Sequence, residues 1–264
     1  SEILTGRAGA RPVSSAPMST LHALIFDVDG TLADTERDGH RPAFNLAFAE
    51  HGLDWHWDEA LYGELLAITG GKERIRHYAE HHAPDVAARP DFDALVKKLH
   101  AAKTAHYVQL VEQGGLPLRP GVARLIAEAR RTAIRLAIAT TTSPENISAL
   151  LRATLGDGAE AWFEVIGAGD IVPAKKPAPD IYRWVLDRLA LPPENCLAIE
   201  DSANGLRAAR AAGLRCLVTP NDYTAGDDFS GAWRVIADLQ DLDLAAIASW
   251  PISNLAFFSG RPRP

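Results

Sequence analysis

The chain has 264 residues, 47% of them hydrophobic, and a formal net charge of −7 at pH 7. This length accommodates one large α/β domain and a smaller one. The acidic balance argues against nucleic acid and against an anionic membrane surface as partners, and no apolar run approaches the roughly 20 residues that a membrane-spanning helix needs.

The first 18 residues differ in composition from the rest of the chain. They are rich in Ala, Gly, Ser, Arg and Pro, contain a single acid, Glu2, and end at the only methionine, Met18. Three interpretations stay open: a start assigned upstream of Met18, a cloning remnant, or part of an organelle transit peptide. We expect residues 1–18 to be a disordered tail. The expected compartment is the cytoplasm, or a plastid if the tail is a transit peptide.

The first predicted strand leads directly into two acids. The apolar run Leu24-Ile25-Phe26 precedes Asp27 and Asp29 and is typical of a buried parallel strand. In open α/β sheets, ligands bind at the carboxyl ends of strands. Two crowded carboxylates repel each other and lose hydration, so a divalent cation is the expected compensation. Taken alone, the pair fits a turn that merely ends a strand equally well.

A long helical block follows this strand. Apolar residues at helical spacing predict four helices, which end at glycines or polar turns: Ala43–His51, Glu59–Ile68, Lys72–His82 and Asp91–Gln113. A helical block between the first and second strands predicts an inserted cap domain over residues 36–114. Its expected hinges lie near 34–36 and 114–117.

Strands and helices alternate after Pro120. The predicted strands are Arg135–Thr140, Phe163–Ala168, Cys196–Glu200, Leu214–Thr219 and Trp233–Ile236. The predicted helices are Val122–Arg131, Pro144–Thr154, Ala178–Leu189 and Ser202–Ala212. This alternation predicts an α/β fold with a Rossmann-like parallel sheet and helices on both faces, built from 19–35 and 115–248 and followed by a loose tail, 249–264. Cys196 and Cys216 lie in apolar strands, so we expect buried, reduced thiols.

Polar residues follow two more of these strands. Thr140 ends one strand, and Glu200 and Asp201 end another. Lys176 lies in a loop that Pro177 keeps out of a helix. Alone, Thr140 is an ordinary strand end and Lys176 an ordinary surface lysine. Their order along the chain favours a shared site with Asp27.

The order strand-Asp-x-Asp, strand-Thr, Lys, strand-Glu-Asp resembles the four motifs of the haloacid dehalogenase-like superfamily of phosphohydrolases, from Ser19 to about Leu244. The resemblance implies that Asp27 attacks phosphorus and forms an aspartyl-phosphate. Asp29 would protonate the departing sugar oxygen and later deprotonate water, which requires a raised pKa; burial and the charge of Asp27 are expected to raise it. Thr140 and Lys176 would hold the phosphoryl oxygens.

The same resemblance implies a Mg²⁺ cofactor. Asp27 and Asp201 are the expected side-chain ligands, because Mg²⁺ prefers oxygen ligands in octahedral geometry. By the family pattern, the backbone carbonyl of Asp29 is a third ligand, and Glu200 acts through water.

Substrate choice is expected to come from the cap. The glycines before Lys72 let backbone amides approach an anion at the start of a helix, and Lys72, Arg74 and Arg76 form a basic cluster where a second phosphate could dock. Glu36 and His40 could contact sugar hydroxyls or position Asp29. A solvated helix start and a surface histidine are the plainer interpretations. The predicted substrate-binding residues are Glu36, His40, Gly71, Lys72, Arg74, Arg76, Thr141 and Thr142.

Within the superfamily, the chain resembles the CbbY-type sugar phosphatases. The matching stretches are 34–41, 70–75, 118–122, 175–177 and 200–202. Those enzymes resemble β-phosphoglucomutase in fold, and some remove the 1-phosphate of xylulose 1,5-bisphosphate, an inhibitory by-product of carbon fixation. The resemblance implies a Mg²⁺-dependent phosphatase that yields xylulose 5-phosphate and keeps Rubisco free of inhibitor. We expect a small phosphorylated sugar as the partner, and a monomer or weak dimer.

Two alternatives differ in chemistry. A sugar-phosphate mutase would use the same Asp27 and Asp29 but return the phosphoryl group to sugar. Mutases of that kind carry a Ser-Arg-Glu-Asp-like string in the cap, where this chain has Gly71-Lys72-Glu73-Arg74. A non-catalytic regulatory protein on the same scaffold is disfavoured, because all four chemical positions are filled.

Overall fold

The computed structural model describes residues 21–250. The predicted tail 1–18 and residues 251–264 lie outside the described residues. Within the described part, no helix combines the length and the apolar character that crossing a membrane requires.

A single parallel sheet forms the centre of the described chain. Its strands are β1 (Ala23–Phe26), β2 (Arg135–Ala139), β3 (Val165–Gly167), β4 (Cys196–Glu200), β5 (Arg215–Val218) and β6 (Arg234–Val235). Their spatial order is β3-β2-β1-β4-β5-β6, and Ile25 of β1 pairs with Ala137 on one side and Ala198 on the other. The predicted parallel α/β sheet is confirmed. The predicted strands 163–168 and 233–236 are shorter than expected.

The central position of β1 explains its sequence. All four of its residues are fully buried. Alternate side chains enter different clusters: Leu24 and Phe26 pack on one face of the sheet, and Ala23 and Ile25 pack on the other. A strand covered on both faces reads as a continuous apolar run, which is the pattern observed.

Helices cover both faces of the sheet. They are α6 (Val122–Arg131), α7 (Pro144–Leu155), α8 (Asp180–Leu189), α9 (Ala203–Ala211) and α10 (Leu244–Ser249), with short 3₁₀ turns at Ala159–Trp162 and Pro193–Asn195. Apolar residues of α6 and α7 join the cluster that contains Phe26, whereas those of α8 and α9 join the cluster that contains Ile25. Both cysteines are buried and unpaired, as predicted.

The segment between β1 and β2 is helical. It begins with a π-helical turn, Glu36–His40, and continues with α1 (Arg41–Glu50), α2 (Glu59–Leu65), α3 (Gly71–His82), α4 (Pro84–Ala87) and α5 (Phe92–Glu112). The π-turn and α4 are absent from the sequence prediction. A separate aromatic cluster that includes Phe48, Trp57 and Tyr62 holds these helices together. This cluster supports the cap division at 36–114, which stays a prediction.

The two linkers of the helical segment run side by side. Ala33 and Leu118 form an isolated antiparallel bridge, and the backbone N–H of Arg119 donates to the carbonyl of Leu32 at 2.8 Å. The chain therefore leaves the sheet and returns to it at one place, next to the end of β1.

The predicted start of the C-terminal tail, residue 249, coincides with the end of a packed helix. Ser249 is the last residue of α10, and the ring centroid of Trp250 lies 5.3 Å from that of Trp233. Apolar residues of α10 and Trp250 pack on the cluster that contains Phe26.

Candidate active site at the carboxyl edge of the sheet

The predicted core residues meet at one edge of the sheet. Asp27 directly follows β1, Thr140 follows β2, and Glu200 and Asp201 stand at the end of β4. Because these strands are parallel neighbours, their carboxyl ends share an edge. A cavity of about 310 Å³ opens there, and it is lined by Asp27, Asp29, Thr140, Lys176, Glu200 and Asp201 among others.

Three acids in this cavity form a buried cluster. One carboxylate oxygen each from Asp27, Glu200 and Asp201 lies within 4.8 Å of the other two. Burial, with the neighbouring charges of Asp27 and Glu200, raises the pKa of Asp201 well above its usual range. Among the described residues, Oε2 of Glu200 is buried without a hydrogen-bond partner. Crowded, under-compensated oxygen donors of this kind fit Mg²⁺.

Lys176 joins two of these acids. Its Nζ donates to Oδ1 of Asp27 at 2.7 Å, to Oε1 of Glu200 at 2.7 Å and to the carbonyl of Ala139 at 2.9 Å. All three ammonium protons are therefore used, and only 5% of the side chain is exposed. Lys176 is therefore a buried residue, and its plainer interpretation as an ordinary surface lysine is wrong.

The pKa of Asp27 is set chiefly by burial and by two charged neighbours. Burial raises its pKa to about 7; the charge of Lys176 opposes this shift, and Glu200 adds to it. A cation beside Asp27 would favour the ionised form that a nucleophile needs.

Asp29 lines the same cavity, and one of its carboxylate oxygens is bound by residues outside the acidic cluster. Its Oδ1 accepts hydrogen bonds from Oγ1 of Thr35 at 2.6 Å and from Nε2 of His40 at 2.7 Å. Burial raises the pKa of Asp29, but the contact with His40, together with the hydrogen bond from Thr35 and the charge of Lys103, outweighs burial and holds that pKa below its usual range. The predicted raised pKa of Asp29 is wrong, because sequence reasoning counted Asp27 as its main neighbour.

His40 is a buried contact of Asp29 rather than a surface histidine. Only 3% of its surface is exposed, and its ring stacks on Tyr107 with centroids 4.2 Å apart. Nζ of Lys103 lies 2.8 Å from its Nδ1. Sequence reasoning missed Lys103, although the signal exists: in α5, it interrupts the buried series Leu95, Leu99, Tyr107 at four-residue spacing.

The threonines after β2 approach the same region. Thr140 and Thr141 line the main cavity. Thr142 is buried, and its Oγ1 accepts from Nδ2 of Asn146 at 2.9 Å. Thr142 and Asn146 line a smaller adjoining cavity of about 40 Å³.

Two predicted cap residues line the main cavity. Oε2 of Glu36 accepts from the hydroxyl of Tyr62 at 2.5 Å, and Nη1 of Arg74 donates to that hydroxyl oxygen at 3.0 Å. Arg74 also donates to the carbonyls of Leu65 and Ile68. Its guanidinium thus fixes the loop that leads into α3, and Glu36 presents its carboxylate beside the cavity.

Gly71 and Lys72 line a neighbouring cavity of about 240 Å³. This cavity shares Gly70 and Thr141 with the main one. Lys72 forms an ion pair with Asp170, which also accepts from Nζ of Lys175 at 2.6 Å. A Cβ at position 71 would lie 2.9 Å from Cδ2 of His100, so the absence of a side chain at Gly71 lets the His100 ring of α5 approach α3 closely.

The structure does not bring Arg76 to these cavities. Its guanidinium pairs with Asp93 and lies 5.7 Å from the ring centroid of Phe92. The expectation that Arg76 belongs to the basic cluster at the site is a mistake, because α5 supplies a closer carboxylate.

Two further polar residues at the cavity were not predicted. Nδ2 of Asn221 donates to Oδ2 of Asp201 at 2.8 Å, and Nδ2 of Asn204 donates to Oγ1 of Thr69 at 3.0 Å. Asn221 follows β5 and thus repeats the strand-end pattern. Asn204 begins α9 and connects it to the loop before α3.

Comparison with known proteins gives consistent matches. The haloacid dehalogenase-like hydrolase family matches residues 21–213. The chain is 51% identical over 246 residues to Protein CbbY, plasmid, of Cupriavidus necator, covering 87% of this chain and 96% of that protein. It is 52% identical to CbbY from Rhodobacter sphaeroides solved in complex with phosphate, with a TM-score of 0.81 and coverage of 86% and 99%. A mutant of that protein solved with xylulose-(1,5)bisphosphate matches with 51% identity, the same TM-score and the same coverage.

Proposed function

The chain belongs to the haloacid dehalogenase-like hydrolase family, and from this membership we propose that it is a Mg²⁺-dependent phosphatase of small sugar phosphates, acting on xylulose 1,5-bisphosphate to give xylulose 5-phosphate. One observation carries the proposal: Asp27, Lys176, Glu200 and Asp201 converge in one cavity. The similarity to a protein solved with xylulose-(1,5)bisphosphate supports the choice of sugar.

Asp27 is the proposed nucleophile. Its carboxylate oxygen attacks phosphorus, and the bond from phosphorus to the sugar oxygen breaks, which leaves an aspartyl-phosphate. Water then attacks this phosphorus, and the acyl-phosphate bond opens to regenerate Asp27 and release phosphate. Lys176 holds Asp27 in place and offsets the negative charge that the phosphoryl oxygens bring. Thr140 lines the cavity where its hydroxyl can donate to one of those oxygens.

Asp29 is the proposed proton carrier. In the observed arrangement it is held as a carboxylate by Thr35 and His40, which suits acceptance of a proton from water. Donation to the departing sugar oxygen requires that Asp29 first carry a proton, which Oδ2 can hold beside the cavity while Oδ1 keeps both hydrogen bonds. The proton it then delivers is recovered from the water in the second half of the reaction.

Asp27, Asp201 and Glu200 are the residues that would hold Mg²⁺, together with the backbone carbonyl of Asp29. When bound, the ion supplies positive charge beside a dianionic substrate and favours ionised Asp27. The side chain of Asp29 is not assigned to this set, because it is not one of the three acids whose oxygens converge and its Oδ1 is bound by Thr35 and His40.

The second phosphate is assigned to the cavity beside Lys72. Lys72 and Lys175 converge there on Asp170, so two ammonium groups already surround one anion. A phosphate dianion that displaced Asp170 would satisfy both ammonium groups more fully than one carboxylate does. Glu36 lines the main cavity from the cap side, which supports its assignment to hydrogen bonds with sugar hydroxyls.

A phosphate-release assay with purified protein tests the proposal. The substrates are xylulose 1,5-bisphosphate, ribulose 1,5-bisphosphate, glucose 1-phosphate and an aryl phosphate, each with Mg²⁺ and with a chelator. We expect the highest kcat/KM for xylulose 1,5-bisphosphate, no release with the chelator, and no release by Asp27→Asn. The exposed Asp157→Asn is the matched control and should match the wild type.

Two results would contradict the proposal. Formation of glucose 6-phosphate from glucose 1-phosphate, without phosphate release from any substrate, would identify a mutase instead. Full turnover by Asp27→Asn would remove Asp27 as the nucleophile.

A further inference from the structure

Tyr182 contacts Glu200, one of the three acids of the buried cluster. It belongs to the first turn of α8, six residues after Lys176, and it is fully buried. Its hydroxyl donates to Oε1 of Glu200. Nζ of Lys176 lies 5.2 Å from the centroid of its ring, a distance at which the ring face attracts a cation.

Glu200 is therefore restrained through one oxygen. Oε1 accepts from both Lys176 and Tyr182, whereas Oε2 has no partner among the described residues. Oε2 lies against Gly205, which leaves room because it has no side chain; a Cβ at that position would overlap Oε2. The Glu200 carboxylate thus lies between its two donors, Lys176 and Tyr182, and the surface of α9 at Gly205, which carries no side chain.

We propose that Tyr182 is a positioning residue that fixes the Glu200 carboxylate and thereby controls how strongly the site binds its divalent cation. The inference rests on the cation of the proposed function. Tyr182 is not itself one of the residues that line the described cavity; it acts through Glu200 and Lys176, both of which line it.

The physical reason lies in the competition for Lys176. Asp27 and Glu200 share the same ammonium group. Because Tyr182 also donates to Oε1, Glu200 depends less on its hydrogen bond from Lys176. The hydrogen bond from Lys176 to Asp27 is then stronger. Without the hydroxyl, Glu200 has one fewer donor in a buried environment, and its carboxylate can rotate about the remaining bond to Lys176. A carboxylate that rotates gives up part of the preorganisation that cation binding needs.

Tyr182→Phe tests this inference, because it removes the hydroxyl and keeps the ring. Mn²⁺ titration followed by electron paramagnetic resonance, without substrate, reports cation affinity independently of turnover. We expect the Kd for Mn²⁺ to rise about tenfold or more, the size expected for loss of a hydrogen bond to a buried charge. Tyr78→Phe, the same change among the cap aromatics, is the control and should bind Mn²⁺ like the wild type.

A double-mutant cycle separates positioning from a general structural effect. If Tyr182 acts through Glu200, the double variant Tyr182→Phe with Glu200→Gln should bind Mn²⁺ no more weakly than Glu200→Gln alone. Additive losses would overturn the inference, and so would an unchanged Kd in Tyr182→Phe. If the Tyr182→Phe variant does not give the native near-UV circular dichroism spectrum, fluorotyrosine is incorporated at position 182 instead. We expect Mg²⁺ to shift the ¹⁹F resonance of this fluorotyrosine. A resonance that does not move overturns the inference.

The same titration distinguishes this inference from the proposed function. A wild-type protein that binds no Mn²⁺ or Mg²⁺ contradicts the proposed metal dependence itself. A wild-type protein that binds the ion and a Tyr182→Phe variant that binds it equally well contradict only the role of Tyr182.

Discussion

Lys103 and His40 form a buried pair in which Nζ of the lysine lies 2.8 Å from Nδ1 of the imidazole. An ammonium group only donates, so Nδ1 accepts and the ring proton is assigned to Nε2, which lies 2.7 Å from Oδ1 of Asp29. The ring thus connects helix α5 of the cap to an acid at the end of β1. This connection fixes both the orientation of His40 and the direction in which Asp29 points.

Replacing Lys103 should slow chemistry more than binding. In Lys103→Met, His40 loses the donor that fixes its tautomer, so Asp29 is held in a less defined position. We expect kcat to fall about 10- to 100-fold, with KM within about twofold, the scale of a lost hydrogen bond from a charged donor. Steady-state kinetics with an aryl phosphate measure both constants. Lys98→Met, an exposed lysine of the same helix, should leave them unchanged, and an equal loss in both variants would contradict this role of Lys103.

The pH dependence gives the same contact a second test. Burial lowers the pKa of Lys103 to about 8, against the opposing charges of Asp29 and Glu36. Below that pH the ammonium group can only donate to His40; above it the neutral amine can also accept, so the charge is lost and the tautomer of His40 is no longer fixed. We expect kcat of the wild type to decline above about pH 8 and the descending limb to be missing in Lys103→Met. A limb that persists in the variant would show that another group titrates there.

Lys72 and Arg76 give a matched pair of cations on helix α3. Lys72 lines the cavity assigned to the second phosphate, whereas Arg76 is paired with Asp93. Lys72→Ala should raise KM for a sugar bisphosphate about tenfold, the scale of one charge-assisted bond to phosphate, and should leave KM for an aryl phosphate unchanged. Arg76→Ala should change neither. Equal increases of KM for both substrates in Lys72→Ala would separate Lys72 from the second phosphate.

The acidic cluster should destabilise the metal-free protein. Burial and the neighbouring acids raise the pKa of Asp201, so above the unfolded-state pKa, near 4, its ionisation costs folding free energy. Asp201→Asn should therefore raise Tm of the chelated protein. Mg²⁺ should stabilise the wild type by about 3 kcal/mol at a hundredfold excess over Kd, equivalent to about 5–10 °C, and should not stabilise Asp201→Asn. Calorimetry with chelator and with Mg²⁺ measures both effects; equal Mg²⁺ shifts in the two proteins would place the ion elsewhere.

Arg119 connects several loops around the site. Its guanidinium donates to the carbonyls of Gly30, Thr219 and Pro220, and only 9% of the side chain is exposed. Arg119→Met leaves these carbonyls without their donor, and we expect the free energy of unfolding to fall by about 3 kcal/mol. Urea denaturation followed by circular dichroism measures this loss. The exposed Arg131→Met should cost less than about 0.5 kcal/mol, and a similar value for Arg119→Met would exclude the connecting role.

The core of the site could be read from the sequence because of the parallel sheet. Asp27, Thr140, Glu200 and Asp201 each follow an apolar strand, and parallel strands place such residues at one edge whatever the details of packing. To predict that these residues meet, it was therefore enough to predict that the strands exist. Errors of a residue or two at the ends of β3 and β6 did not affect this prediction.

The surroundings of Asp29 depend on contacts that no local pattern specifies. Thr35, just before the π-turn, and His40, at its end, bind Asp29 directly, and Lys103 of α5 acts on it through His40. The sequence offers His40 as a possible contact of Asp29, and Lys103 leaves a trace as a charge in an apolar helical stripe, but Thr35 leaves none. The mistaken assignment of Arg76 has the same origin, because its partner Asp93 is contributed by another helix.

The bridge between Ala33 and Leu118 has a consequence for engineering. Because the chain leaves and re-enters the sheet at neighbouring backbone positions, the two ends of the intervening helical segment lie close enough to be joined by a short turn. An exchange of this segment between relatives must nevertheless carry His40 and Lys103 with it, because these two residues orient Asp29. It must also preserve Tyr107 and Val111, which pack in the cluster that contains Phe26.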